Sequence, residues 1–188
     1  CSICPAGTSS RSRASACTDC ERGKYSEADG SSECTKCDGG TWSNTSADSC
    51  TSCASGTYSG AGAEACTNCE AGKYSGGGAS SCDACGAGKF QSMNGQASCA
   101  ACPRGRFQAN TGEDRCAACD EGEFMNETGA TACLKCSTEK GRGYWSSAGA
   151  TECDQADVRY FMNTQTGEPE ECLKGTKCAE AGITTETI

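Results

Sequence analysis

The chain has 188 residues, among them 21 cysteines, 25 glycines, 3 prolines and no histidine, and its formal charge is −9. Its valine, isoleucine and leucine are Val158, Ile3, Ile183, Ile188, Leu134 and Leu173, and only 4 phenylalanines join them. That lies far below the roughly 20 % of such residues a chain needs to fold around an apolar core, so an ordinary one-core domain is excluded. Cysteine stands above the 8–10 % or so that marks a disulfide scaffold. Without histidine there is no Ser-His-Asp or Cys-His catalysis and no His-containing metal site. The acidic balance argues against nucleic acid as a partner, and no apolar run reaches the ~18 residues of a membrane span.

The sequence opens at Cys1 with neither Met nor a leader, and it reads as a segment of something longer. From there the cysteines fall in C-x-x-C pairs: Cys1/Cys4, Cys17/Cys20, Cys34/Cys37, Cys50/Cys53, Cys66/Cys69, Cys82/Cys85, Cys99/Cys102, Cys116/Cys119 and Cys133/Cys136. The intervals between pairs are 12 or 13 residues throughout, a period of 16 or 17. The third residue after each of the first eight pairs is glycine, from Gly7 and Gly23 through Gly122. Two positions further on sits an aromatic: Tyr25, Trp42, Tyr58, Tyr74, Phe90, Phe107 and Phe124, with Ser9 in the first repeat. A second glycine recurs four residues before the next pair at Gly30, Gly62, Gly78, Gly95, Gly112, Gly129 and Gly149.

Between the two glycines of each unit lie too few residues for a helix, and no unit shows a 3.6-residue pattern, so the expected unit is a short β-hairpin or loop. The glycines serve positive φ or close approach. The aromatic, the one large side chain per repeat, is expected to lie on a bridge and make a miniature core. The fold class is a small disulfide-rich repeat protein: an elongated rod of stacked hairpin modules, each touching only its neighbours, with no helix-rich domain.

Three pairings of the cysteines compete. Closing each C-x-x-C on itself leaves the loops unconstrained. Joining whole pairs consumes them two at a time, and nine is odd. The third scheme bridges the second cysteine of one pair to the first of the next: Cys4–Cys17, Cys20–Cys34, Cys37–Cys50, Cys53–Cys66, Cys69–Cys82, Cys85–Cys99, Cys102–Cys116 and Cys119–Cys133. It continues through Cys136–Cys153, leaves Cys172–Cys178 for each other, and sends Cys1 to a partner upstream. It accounts for the odd total without a free thiol and is the pairing adopted, although spacing alone does not fix connectivity. Each such loop is worth about 3 kcal/mol in the loop-entropy account.

Rival chemistries fare poorly. The spacing approaches that of a four-thiolate zinc site, but zinc modules alternate site and spacer and nine pairs do not divide into fours. A thioredoxin-like C-x-x-C needs a βαβ context that is missing. The acidic runs Asp120-Glu121-Gly122-Glu123 and Glu168-Pro169-Glu170-Glu171 lack a calcium-loop register and read as solvated charge. No paired carboxylates suggest a glycosidase. No enzyme, metal or cofactor is therefore expected. Two Asn-x-Ser/Thr sequons, at Asn44 and Asn126, together with 22 serines and 19 threonines, fit a glycosylated secreted surface.

The period breaks after Cys136, where Lys140-Gly141-Arg142-Gly143-Tyr144-Trp145 inserts into the loop. Residues 1–153 are accordingly read as the repeat array and 154–188 as the start of a different, truncated cysteine-rich module. Its best strand is Asp157–Met162, followed by a turn at Thr166-Gly167 and a final strand over Gly182–Ile188.

Stretches such as Cys66-Thr-Asn-Cys69-Glu-Ala-Gly72-Lys-Tyr74 and Cys99-Ala-Ala-Cys102-Pro103-Arg-Gly105-Arg-Phe107 resemble the ephrin-receptor-like cysteine-rich repeat, itself similar to the smaller modules of tumour-necrosis-factor receptors. The likeness covers about residues 1–153, and the family's proline after the second cysteine remains only at Pro5 and Pro103. Long arrays of this kind look most like large surface proteins of algae and protists, including mastigoneme-type proteins. The resemblance implies an extracellular, elongated, non-enzymatic segment. Its expected partners are copies of itself or other filament and surface proteins, with covalent glycans, no nucleic acid and no membrane contact. A receptor-type ectodomain is the alternative.

Overall fold

The computed structural model describes residues 3–141 and 144–155, together with the backbone of 160–162 and 169–171. Nine disulfides close nine successive loops, here repeats 1 to 9: Cys4–Cys17, Cys20–Cys34, Cys37–Cys50, Cys53–Cys66, Cys69–Cys82, Cys85–Cys99, Cys102–Cys116, Cys119–Cys133 and Cys136–Cys153. Their Cα–Cα separations run from 5.5 to 5.8 Å, within the usual range for such bridges. Cys1, Cys172 and Cys178 lie outside the described residues.

The chain divides into two compact units. The first comprises Cys1–Cys85, Gln91–Ala100 and Gly112–Asp114; the second comprises Gly86–Phe90, Ala101–Thr111 and Arg115–Ile188. Within the first unit, antiparallel two-residue strands pair Thr8–Ser9 with Thr18–Asp19, Lys24–Tyr25 with Thr35–Lys36, and Thr41–Trp42 with Thr51–Ser52. Thr57–Tyr58 pairs with Thr67–Asn68 and Lys73–Tyr74 with Asp83–Ala84. Within the second, Arg106–Phe107 pairs with Ala117–Ala118, Glu123–Phe124 with Leu134–Lys135, and Tyr144–Trp145 with Asp154–Gln155. The hairpin is thus built from the aromatic dipeptide and the two residues inside the following C-x-x-C. A two-residue ladder is too short to persist alone in water; here half-cystines bracket one strand and tie it to the start of the loop.

The turn that opens each hairpin is dictated by its glycine. In repeat 2 the Lys24 N–H donates to Glu21 O across 3.0 Å, and Gly23 takes φ +77° at the third turn position. A type II turn requires positive φ there, which glycine adopts without steric cost.

Repeats then interlock through backbone hydrogen bonds. In the first unit the Gly23 N–H donates to Ser43 O (3.0 Å), Gly40 to Ser59 O (2.7 Å) and Gly56 to Ser75 O (2.9 Å), each reaching the next repeat. In return Ser46, Gly62, Gly78 and Gly95 donate to Cys20, Cys37, Cys53 and Cys69 of the repeat before, at 2.7–2.8 Å. Parallel bridges Tyr25↔Ala47, Trp42↔Ala63 and Tyr58↔Ala79 add to the same seam. The second unit repeats the scheme, with Gly105 donating to Met125 O, Gly122 to Ser146 O and Gly149 to Cys119 O (2.8, 2.9 and 2.8 Å).

Contacts also reach the next repeat but one, which corrects the expectation that each repeat touches only its neighbours. The first glycines of repeats 2, 3, 4 and 5 lie against the carbonyls of Gly62, Gly78, Gly95 and Gly112, two repeats on. In the second unit Gly88 meets Gly129 and Gly105 meets Gly149 in the same way. A Cβ at any of these would fall inside the carbonyl's van der Waals radius. The second glycine therefore lends its oxygen as well as its φ. Spacing reveals its recurrence but not its partner two periods away.

The core also differs from the expected one. The second cysteine of the pair fills the interior of each unit: Cys20, Cys37, Cys69 and Cys85 in the first and Cys102 and Cys119 in the second are fully buried. The aromatics Tyr25, Trp42, Tyr58, Tyr74, Phe90 and Phe107 are only half-buried, and Phe124 alone is buried. A ring flanking a two-residue strand has solvent on its outer side, so sulfur and backbone fill the interior.

The inserted loop of repeat 9 forms a single α-helical turn, Cys136–Glu139, before the hairpin resumes at Tyr144. Beyond it, Tyr160–Met162 pairs with Pro169–Glu171. This keeps half of the expected strand Asp157–Met162; its first three residues, the Thr166-Gly167 turn and the Gly182–Ile188 strand lie outside the described residues.

Candidate functional site

Repetition gives the described residues of each unit sets of equivalent positions. The innermost set is the half-cystines. The serines that follow the aromatics directly are buried as well: Ser26, Ser43, Ser59 and Ser75 in the first unit and Ser146 in the second. Each hydroxyl donates to a carbonyl of the preceding repeat, Ser26 to Thr8, Ser43 to Lys24, Ser59 to Thr41, Ser75 to Thr57 and Ser146 to Glu123, at 2.8–3.0 Å. The Ser59 oxygen also sits 3.3 Å from Cys53 Sγ, and Ser146 the same distance from Cys136 Sγ. The sequence analysis assigns these serines no structural role. The signal was the aromatic–serine dipeptide, repeated at Tyr25-Ser26, Trp42-Ser43, Tyr58-Ser59, Tyr74-Ser75 and Trp145-Ser146.

In repeats 6 to 8 the position holds Gln91, Gln108 and Met125. The glutamines hold their own loops instead: Gln91 Nε2 donates to Ser98 O and Gln108 Nε2 to Arg115 O, both at 2.8 Å. The longer side chain spans a loop one residue longer than those of repeats 3 to 5.

The outer surface is polar and lightly paired. Lys24 Nζ donates to Glu21 at 2.8 Å; that hydrogen bond, and then the lysine charge, hold the Glu21 carboxyl below its ordinary value. Arg22 and Glu64, two repeats apart, approach to 4.0 Å with both ends largely exposed. Asn44 and Asn126 are exposed, and each stands two residues after the repeat aromatic. Among the described residues no cluster of three or more cysteine, aspartate or glutamate side chains could hold a metal ion, because the disulfides engage the sulfur. No helix among them is long and apolar enough to cross a membrane.

This arrangement defines a disulfide-rich repeat protein, a module of extracellular type whose fold points to a non-catalytic role. Residues 7–41 and 72–112 match the family described as tyrosine-protein kinase ephrin type A/B receptor-like, so these two stretches are ephrin-receptor-like cysteine-rich repeats, and the regular disulfides fit a cysteine-rich repeat array. No curated protein matches the sequence.

Proposed function

We propose that the chain is an extracellular scaffold segment of a large secreted or cell-surface protein, incorporated into a filament or coat of mastigoneme-like kind and packed against copies of itself or other surface proteins. The observation that carries this reading is the seam between repeats. Its backbone bonds recur in every described repeat of each unit, and among the described residues only the longer loop of repeat 9, with its single helical turn, departs from the pattern. Backbone polar groups are engaged in joining one repeat to the next. Each repeat thereby becomes a spacer, and spacing is the property selected in a filament subunit.

A receptor-type ectodomain is the second reading, favoured by the match to a receptor-like family. Surface biotinylation of intact source cells, followed by electron microscopy and sedimentation of the native material, separates the two. Filaments or sheets support the scaffold. Dispersed molecules that copurify with one soluble protein ligand support the receptor, and a protein inaccessible to biotin would refute both.

A further inference from the structure

Both sequons occupy the same place in their repeats. Asn44 follows Trp42 by two residues in repeat 3, and Asn126 follows Phe124 by two in repeat 8. Both asparagines are exposed, while the residue between aromatic and asparagine is buried, Ser43 in one case and Met125 in the other. Alternation along an extended chain therefore turns residues 42 and 44 to one side and residue 43 to the other.

The third sequon residue adds an independent observation. Ser46 stands where seven of the nine repeats carry their second glycine, and it keeps the glycine conformation, φ +56°. An L-residue is strained there. The seam bond is retained, since Ser46 N–H donates to Cys20 O at 2.8 Å, so the seam itself requires no side chain at this position. What the serine supplies is a hydroxyl two residues after Asn44. The other non-glycine in this slot is Arg13 of repeat 1, with φ +69°.

We infer that Asn44 and Asn126 carry N-linked glycans and that the first sugar on Asn44 lies against the half-exposed ring of Trp42. Phe124 is only 5 % exposed, so the sugar on Asn126 finds no ring face and stands free in solvent. Glycan transfer forms the bond between Asn44 Nδ2 and the anomeric carbon of the sugar, with a lipid pyrophosphate leaving from the donor. A sugar's C–H face over an indole then pins the loop closed by Cys37–Cys50. The inference rests on the extracellular reading, because the donor is encountered only on export.

The full chain is expressed behind a heterologous leader in eukaryotic cells with a mannosidase inhibitor, then trimmed with an endoglycosidase that leaves one sugar. Peptide mapping is expected to find that sugar on both asparagines, and Ser46→Gly to remove it from Asn44 alone. An exported, fully oxidised chain with Asn44 bare overturns the inference. Amide exchange in residues 41–47 is expected to be on the order of fivefold slower with the sugar than in Asn44→Gln. Trp42→Ala should abolish that difference without lowering occupancy, and Asn126→Gln should change nothing around Phe124. Equal exchange with and without the Asn44 sugar overturns the ring contact. Because the leader forces export, failure here is distinct from failure of surface labelling on source cells, which bears on the extracellular reading itself.

Discussion

Replacing Gly56 by alanine tests the contact between a repeat and the next but one. Gly56 has φ +84°, and its added Cβ would overlap the Gly95 carbonyl and stand 3.0 Å from Gln96 N, all of it backbone that no rotamer can move. Three effects combine. The left-handed conformation costs alanine about 1–2 kcal/mol. The Cα–H···O contact with Gly95 goes, about 0.5–1 kcal/mol. Moving the Gly95 loop away strains two hydrogen bonds, Gly56 N–H to Ser75 O (2.9 Å) and Gly95 N–H to Cys69 O (2.7 Å), each worth about 1 kcal/mol net. A local destabilisation of about 4 kcal/mol follows. Gly78 is the control, because its φ of +70° carries the same conformational cost but a Cβ there meets nothing within 4 Å. Gly78→Ala should cost only about 1–2 kcal/mol. Hydrogen exchange read by mass spectrometry should show the Gly95 amide exchanging at least tenfold faster in Gly56→Ala than in Gly78→Ala. Equal effects of the two substitutions would refute the idea that repeats two apart hold one another.

Ser59→Ala should destabilise repeats 3 and 4 by about 1–2 kcal/mol, measured by urea titration, because Thr41 O loses its buried donor; an unchanged midpoint would remove the buried serines from the seam. Phe124→Ala should cost about 3 kcal/mol or more while Tyr74→Ala costs clearly less, since the first ring is buried and the second half-exposed; thermal melts that rank them the other way would restore the aromatics as the core. Non-reducing peptide mapping should recover each of the nine bridges and no free thiol among these eighteen cysteines, and reduction should unfold the chain. Stability linked to the lowered Glu21 carboxyl would be present above its unfolded pKa and lost as the pH falls through its folded one, but solvent screening cancels it at this site. It is fully exposed, so Glu21→Gln should leave the acid limb of a melting-temperature profile unchanged.

Covalent geometry made much of this protein legible without coordinates. A chain with ten Val, Ile, Leu and Phe residues has no other route to a fold than crosslinking. A fixed interval between cysteines makes every loop the same local problem with the same local solution, so one glycine at one turn position can be inferred eight times over. The sequons were equally plain, as any short motif is. Three other features needed the tertiary structure, because each depends on how far apart two periods lie in space. One is the burial of Ser59 beneath the carbonyl of Thr41, and another the half-exposure of Trp42 beside Asn44. The third is the seating of Gly56 on Gly95, 39 residues further along the chain. Periodicity specifies what recurs; the pitch at which successive turns stack, set by backbone hydrogen bonds between repeats, decides which recurring atoms meet.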